Sequence, residues 1–174
     1  MGKLKKVCWK IQSVLIKLVR YYGTDTYMRM YNKYLKKIGI KIPRGGVQYV
    51  DPSCYFDGVD YSLISIGKDC VFSRGVVVLT HDYSISRGFQ AIGKYSGKEE
   101  RILNGVEIGD NCFVGANCLV LPGTVLGNNC IVGAGCVVKG TYPDDCILMG
   151  NPAKVYANTK DWAEKKYEQI HGGE

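Results

Sequence analysis

Large apolar residues recur at every sixth position in two stretches of the chain, which begin at residues 66 and 108. Because 46% of the residues are hydrophobic, nine apolar residues at nine such positions would arise by chance roughly once in a thousand sequences. This period fits neither an amphipathic helix nor an alternating strand, and it predicts short strands separated by turns, three to a coil, whose stacked neighbours pair in parallel. The nine positions are Ile66, Phe72, Val78, Ile108, Val114, Val120, Leu126, Val132 and Val138.

Small side chains form a second column, four residues after each apolar position, and cysteine is the commonest residue there. A narrow interior needs small residues between the large ones to reach native packing density. We therefore expect these cysteines to be reduced, buried thiols of a cytoplasmic protein rather than disulfides of a secreted one. No CxxC pair occurs and the spacing does not suit tetrahedral zinc, so no metal is expected. The column holds Cys70, Cys112, Cys118, Cys130 and Cys136.

The period fails over residues 82–101, where polar residues stand at positions that should be apolar. We expect this stretch to leave the prism wall as an excursion loop. His81 immediately precedes it, and the chain's other histidine, His171, lies in a polar tail. A histidine held on a rigid wall at the foot of a loop is suited to catalysis, although an isolated histidine is more often an ordinary turn residue.

The two ends of the chain show helical spacing instead. Apolar residues over residues 3–22 form the stripe of an amphipathic helix, with lysine and arginine on much of the remaining surface. A second helix is expected over residues 25–38, with Thr24 as its N-cap and Gly39 at its end. A short helix over residues 161–170 is expected to cover the strand edge of the last coil.

The positive charge lies almost entirely in the N-terminal arm. Residues 1–45 hold 12 Lys and Arg against one acid, a balance of +11, whereas residues 46–174 hold 11 against 15, a balance of −4. This distribution argues against a nucleic-acid-binding body, and no nucleic-acid partner is expected. The arm is expected to pack on the prism or on a neighbouring subunit; the alternative is peripheral contact with an anionic membrane.

One long segment carries a family resemblance. The sequence GVEIGDNCFVGANCLVLPGTVLGNNCIVGAGCVVKGTYPDDCILMGNPAKV closely resembles the left-handed β-helix hexapeptide acyltransferases, including their closing GNPAKV. The resemblance spans roughly residues 46–157 and implies an all-β fold, a left-handed parallel β-helix of hexapeptide repeats, assembled as a homotrimer. Around this catalytic domain we expect the helical arm of residues 1–45 and a C-terminal capping helix and tail over residues 158–174.

The surroundings of His81 point to one branch of that family. The run LTHD, then a loop, then IGDNCFVG resembles the galactoside, maltose and xenobiotic acetyltransferases and related polysaccharide O-acetyltransferases, in which the matching histidine is the general base. The resemblance implies direct transfer of acetyl from acetyl-CoA to a hydroxyl of a sugar or polysaccharide precursor. Asp57 matches a residue that contacts the acceptor, and Glu100 lies where a glutamate orients the base, with Glu99 as a close alternative. Their plainer roles are a turn aspartate and solvated loop glutamates.

The same resemblance implies a site for acetyl-CoA in the groove between two neighbouring prisms. Phe113 stands where relatives carry an aromatic residue that flanks the groove, and its alternative role is a subunit contact. Lys154, in NPAKV, matches a basic residue that meets the nucleotide phosphates, whereas Lys139 departs from the family pattern by one place. The small residues that match positions receiving the pantetheine arm are Gly115, Ala116 and Ala134.

Several alternative functions remain at this point. A β-helix carbonic anhydrase would need three histidine ligands for zinc, and the repeat region contains only His81. A serine acetyltransferase uses the same histidine chemistry but carries a long helical N-terminal domain and a different histidine context. A xenobiotic acetyltransferase acting on an antibiotic and a non-enzymatic β-helix scaffold are the other two alternatives.

Overall fold

The computed structural model describes residues 3–172, with side chains from residue 7 onward, so the last two residues of the expected C-terminal tail lie outside the described residues. The described chain forms four helices, α1 (Lys3–Val19), α2 (Thr24–Ile38), α3 (Ser84–Ala91) and α4 (Thr159–His171). Its sixteen strands are short: β1 (Tyr49–Val50), β2 (Tyr55–Phe56), β3 (Ile64–Ile66), β4 (Val71–Phe72), β5 (Val77–Val78), β6 (His81–Asp82), β7 (Ile102–Leu103), β8 (Val106–Ile108), β9 (Phe113–Val114), β10 (Leu119–Val120), β11 (Val125–Leu126), β12 (Ile131–Val132), β13 (Val137–Val138), β14 (Thr141–Tyr142), β15 (Cys146–Gly150) and β16 (Ala153–Asn158).

Most of the strands belong to three parallel sheets that form the faces of a prism. Sheet 1 contains β1, β4, β9, β12 and β15, sheet 2 contains β2, β5, β10 and β13, and sheet 3 contains β3, β8, β11 and β14. Successive strands along the chain fall in successive sheets, so the chain winds around the prism as a β-helix. Phe113 pairs with Ile131, and this spacing of 131 − 113 = 18 residues is one coil of three six-residue units.

The interior of the prism is the apolar column that the period predicts. All nine predicted positions are buried, with no more than 4% of any of these residues exposed. Each is the last residue of its strand, and because side chains alternate across a strand, the residue before it faces outward or sideways. The predicted core is therefore confirmed at every one of these positions.

The cysteine column lies at a corner of the prism, where each thiol meets the next coil. The thiol of Cys112 donates to the carbonyl of Gly127 at 3.1 Å, and that of Cys118 to the carbonyl of Gly133 at 2.9 Å. Both thiols are buried. A small side chain with a weak donor thus fills the corner and satisfies a turn carbonyl.

The second helix closes the first end of the prism. Its inner face is buried, and the hydroxyl of Tyr27 donates to the carbonyl of Val50, in β1, at 2.7 Å. Gly39 ends the helix in a left-handed conformation, as predicted. The predicted N-cap is wrong by one residue: Gly23 precedes the helix without a side-chain cap, and Thr24 already lies in its first turn.

The other end of the prism is closed by a strand rather than by the helix that the sequence suggests. Strand β16 pairs antiparallel with β15 and so covers the edge of the last coil. Helix α4 begins after Asn158 and buries none of its residues. It is tied to the prism by Lys160, whose ammonium lies 2.6 Å from the carboxylate of Asp145. The antiparallel return of the chain satisfies the backbone edge that the helix was expected to cover.

Candidate active site

The excursion leaves the prism wall at the end of sheet 2 and returns to the same place. The amide of Asn104 donates to the carbonyl of Thr80 at 3.0 Å, which closes the loop at its base. Next to this closure, β6 pairs antiparallel with β7, and His81 stands opposite Leu103. Helix α3 lies within the excursion. The backbone of His81 is therefore fixed by the wall on one side and by the returning chain on the other.

His81 contacts one carboxylate, that of Asp57. Its Nδ1 is within hydrogen-bond distance of Oδ2 of Asp57, a residue that is only 1% exposed. An ionised carboxylate accepts, so Nδ1 carries the proton and Nε2 is left as the acceptor nitrogen of the neutral ring. The imidazole side chain is 23% exposed. This arrangement gives a partly accessible base with a fixed orientation and a fixed tautomer.

Further donors hold Asp57 in its ionised form. Its Oδ2 accepts from the amide and the hydroxyl of Thr80, at 3.1 and 2.8 Å, and its Oδ1 accepts from the amide of Val59 at 3.1 Å. Burial raises the pKa of Asp57, but the hydrogen bonds from His81, Thr80 and Val59 outweigh it, so the net pKa is lowered. Asp57 is thus a buried negative charge directed at the histidine.

A cleft of about 310 Å³ opens beside this pair. Its wall is strongly aromatic and comes from three parts of the chain: the two N-terminal helices, the first coil, and the foot of the excursion. Its lining residues are Trp9, Lys10, Tyr34, Tyr55, Asp57, Gly58, Val59, Tyr61 and His81. The sequence analysis did not identify these aromatic residues, because helical spacing alone does not show which coil the arm packs against.

One sequence signal for the cleft was available. Inside the prism, Phe56 and Ile66 occupy successive six-residue positions, yet ten residues separate them. The four extra residues form an outward bulge that contains the short 3-10 turn Tyr61–Leu63. This second and shorter break in the period supplies Gly58, Val59 and Tyr61 to the cleft.

The two other carboxylates considered from the sequence lie away from His81. Glu100 is exposed, and its backbone exchanges two hydrogen bonds with the hydroxyl of Ser86. Glu99 pairs with Arg87 and accepts from the hydroxyl of Tyr95. The structure therefore gives the orienting contact expected of Glu100 to Asp57 instead. The reason is that the returning chain pairs through Ile102 and Leu103, beyond the two glutamates.

The candidate coenzyme residues gather mainly at a different edge of sheet 2. Gly115 and Ala116 follow β9, and Ala134 follows β12 one coil later, so all three lie at the corner between sheets 1 and 2. A Cβ on Gly115 would lie 2.6 Å from the amide nitrogen of Ala134, so the close approach of the two coils requires glycine. Phe113 is 42% exposed beside this corner.

The two lysines occupy separate places. Lys154 is exposed on β16, at the end of sheet 1. Lys139 follows β13 at the far edge of sheet 2, on the side where His81 stands. The pKa of Asp82 is lowered, chiefly by hydrogen bonds from Ser84 and further by the charge of Lys139. One chain thus places His81 and the small-residue corner at opposite edges of the same sheet.

Comparisons with known proteins agree with this architecture. The family described as bacterial transferase hexapeptide (six repeats) matches residues 105–140. Protein CapG of Staphylococcus aureus is 40% identical over 135 residues, which are 74% of this chain and 75% of CapG. The chain belongs to the bacterial hexapeptide transferases. The family resemblance seen in the sequence is thereby confirmed.

Solved structures of hexapeptide-repeat proteins share the fold of this hexapeptide transferase. A hexapeptide-repeat-containing acetyltransferase from Vibrio cholerae has a TM-score of 0.59 at 19% identity, covering 92% of this chain and 95% of that one. A galactoside acetyltransferase in complex with coenzyme A has a TM-score of 0.57 at 16% identity, covering 90% and 83%. A maltose O-acetyltransferase from Clostridium difficile has 0.57 at 18%, covering 86% and 83%. The left-handed parallel β-helix expected from the sequence is confirmed.

Proposed function

We propose that this hexapeptide transferase is an O-acetyltransferase that moves acetyl from acetyl-CoA to a hydroxyl of a sugar or of a polysaccharide precursor. The observation that carries the proposal is the pair formed by His81 and buried Asp57 at the edge of an aromatic cleft. A general base needs an accessible nitrogen, a fixed tautomer and a fixed orientation, and this pair has all three.

The chemistry follows from that pair. Nε2 of His81 takes the proton of the acceptor hydroxyl as its oxygen attacks the thioester carbonyl, and the C–O bond forms. The negative charge of Asp57 stabilises the imidazolium that results. Collapse of the tetrahedral intermediate breaks the C–S bond, and the imidazolium returns its proton to the departing thiolate of coenzyme A. No acyl-enzyme is required, and the histidine is regenerated in its starting form.

The cleft supports a sugar as the acceptor. Tyr34, Tyr55, Tyr61 and Trp9 offer aromatic surface on which the apolar face of a sugar ring can stack, together with polar groups that can bond its hydroxyls. Lys10 adds a positive charge that would suit an anionic sugar. Two proteins that share the fold are named for sugars, galactoside and maltose.

For the donor, we propose that acetyl-CoA lies in a groove between neighbouring prisms of a homotrimer. The proposed contacts are Phe113, Gly115, Ala116, Ala134 and Lys154, with Lys139 nearer to His81. In one chain the small-residue corner and His81 lie at opposite edges of sheet 2. A neighbouring copy that presents its corner to His81 would unite the two halves. Two fold neighbours were solved with coenzyme A or acetyl-CoA.

Release of free coenzyme A from acetyl-CoA, measured with a panel of acceptors, tests the proposal. The panel contains monosaccharides, nucleotide sugars, serine and chloramphenicol. We expect turnover with at least one sugar or nucleotide sugar, and a trimer by light scattering. Turnover with serine alone would contradict the sugar assignment, and absence of coenzyme A binding by calorimetry would return the protein to the scaffold alternative. The buried thiols of the prism also lead us to propose a cytoplasmic location.

A further inference from the structure

The outward face of α1 is apolar along its described length. Five aliphatic side chains are each between 51% and 60% exposed, and they recur three or four residues apart, so they form one continuous stripe. The opposite face carries Trp9 and Ile16, which are buried at 8% and 3% exposure. The stripe consists of Val7, Ile11, Val14, Leu15 and Leu18.

This arrangement is the reverse of an ordinary surface helix, which directs its apolar face to the core and its polar face to solvent. Here the helix has a buried contact and a second apolar face that is turned away from the protein. The stripe continues past the end of α1, where Tyr21 and Tyr22 are 88% and 92% exposed. An exposed apolar surface of this length marks a site of interaction.

The charges around the stripe identify the kind of partner. The arm of residues 1–45 has a balance of 12 − 1 = +11. Lys10 is exposed one position before Ile11, and Lys36 and Lys37 are exposed near the end of α2. Two copies of this arm placed face to face would bring like charges together, which disfavours pairing through α1. An apolar stripe with a basic surround matches the interface of an anionic bilayer.

We propose that α1 docks the protein on an anionic membrane surface, lying in the plane of the interface with its stripe toward the acyl chains. None of the helices formed by residues 3–172 is both long enough and apolar enough to cross a bilayer. Trp9 and Lys10 also line the catalytic cleft, so docking would hold that cleft close to the membrane. The inference goes beyond the proposed acetyl transfer and does not depend on it.

Co-sedimentation of the full chain with vesicles tests this inference. Vesicles of phosphatidylcholine with 30% phosphatidylglycerol are compared with vesicles of phosphatidylcholine alone, at 50 and at 500 mM NaCl. We expect binding to the anionic vesicles that weakens at high salt, and a loss of about tenfold or more in the partition coefficient for Ile11→Gln/Leu18→Gln. Val14→Gln/Leu15→Gln should behave in the same way. Glutamine favours helix, so these exposed changes should leave the fold intact.

The matched control uses the exposed apolar residues of the other terminal helix. Tyr167 and Ile170, on α4, are 66% and 72% exposed. The variant Tyr167→Gln/Ile170→Gln should bind vesicles like the wild type. His81→Ala should do so too, which separates this test from the catalytic proposal.

Three results would overturn the inference. One is absence of wild-type binding to the anionic vesicles, and another is equal binding by the wild type and both stripe variants. The third is a stripe variant that loses the oligomeric state of the wild type by light scattering, because the stripe would then be a contact with a second copy of the chain.

Discussion

The prism wall and the excursion each offer a carboxylate to the histidine that stands between them, and they hold it differently. On the wall, Asp57 is 1% exposed and accepts hydrogen bonds from Thr80 and Val59 in addition to its contact with His81. On the excursion, Glu100 is exposed and is held through its backbone. The wall therefore presents a fixed charge, whereas the excursion presents one that water can solvate.

This difference shows what the repeat contributes to function. Strand β5, which leads into His81, is paired on both sides, by β2 and by β10, so a side chain placed there keeps its geometry without support from the ligand. A charge that is also buried acts through a low local dielectric, while an exposed one is screened. The comparison predicts that loss of wall residues damages catalysis far more than loss of excursion residues.

The largest expected effect comes from His81 itself. We expect His81→Ala to lower kcat by about a thousandfold or more, because the acceptor hydroxyl then has no base. The fold and oligomeric state should be unchanged, since the ring is at the surface of a wall held by backbone pairing. The matched control is His171→Ala, the chain's other histidine, on exposed α4. Turnover by His81→Ala within about tenfold of the wild type would remove this residue from the mechanism.

The next effect compares the two carboxylates directly. Asp57→Asn keeps the shape of the side chain but removes the charge that selects the tautomer of His81, and we expect kcat to fall by about a hundredfold. Glu100→Gln should change kcat by less than about threefold. The measurement is steady-state release of coenzyme A with saturating acetyl-CoA. The reverse order of these two effects would mean that the excursion moves in the complex and delivers its own carboxylate.

The prism could be predicted from sequence because its signal is repeated. A six-residue period leaves the same imprint at nine positions, and the failure of that period marks the excursion and its histidine. The arm was predictable only as two helices. Helical spacing identifies an apolar face, but the packing of Trp9 and Tyr34 around the cleft depends on a tertiary contact with no local sequence signal.

The partner of His81 could not be predicted, for a geometrical reason. A regular coil places residues 18 apart in register, but β2 pairs with β5 at a spacing of 78 − 56 = 22 residues, because the first coil carries the four-residue bulge. Counting by 18 therefore does not bring Asp57 to the wall position beside His81. The family resemblance assigned this residue to the acceptor, whereas its burial and its contact assign it to the base.

A smaller effect is expected from the aromatic wall of the cleft. Tyr55 lines the cleft and is 53% exposed, so its removal should cost little stability. We expect Tyr55→Ala to raise the KM for the acceptor by about tenfold, with the KM for acetyl-CoA unchanged, because only the acceptor stacks there. Tyr167→Ala, at 66% exposure on α4, is the control. An equal rise in both KM values would argue that this wall receives the coenzyme.

The smallest effect is on stability and its dependence on pH. Burial raises the pKa of Asp57, but hydrogen bonds from His81, Thr80 and Val59 outweigh it and leave the folded pKa below the usual value, which is about 3.9 in an unfolded chain. The ionised group therefore contributes stability that is complete above about pH 4 and is lost as the pH falls through the folded pKa.

An asparagine at this position has no titratable group, so the free energy of unfolding of the variant Asp57→Asn should lack this dependence. At pH 7 we expect the wild type to exceed the variant by about 1 kcal/mol, since the charged hydrogen bonds are stronger than those of an amide. Urea unfolding at pH 7, 5 and 3.5 should show the difference narrowing only at the lowest value. A difference that stays constant to pH 3.5 would mean that the folded wall does not favour the ionised carboxylate. The pairing with His81 would then be a steric contact and no longer an electrostatic one.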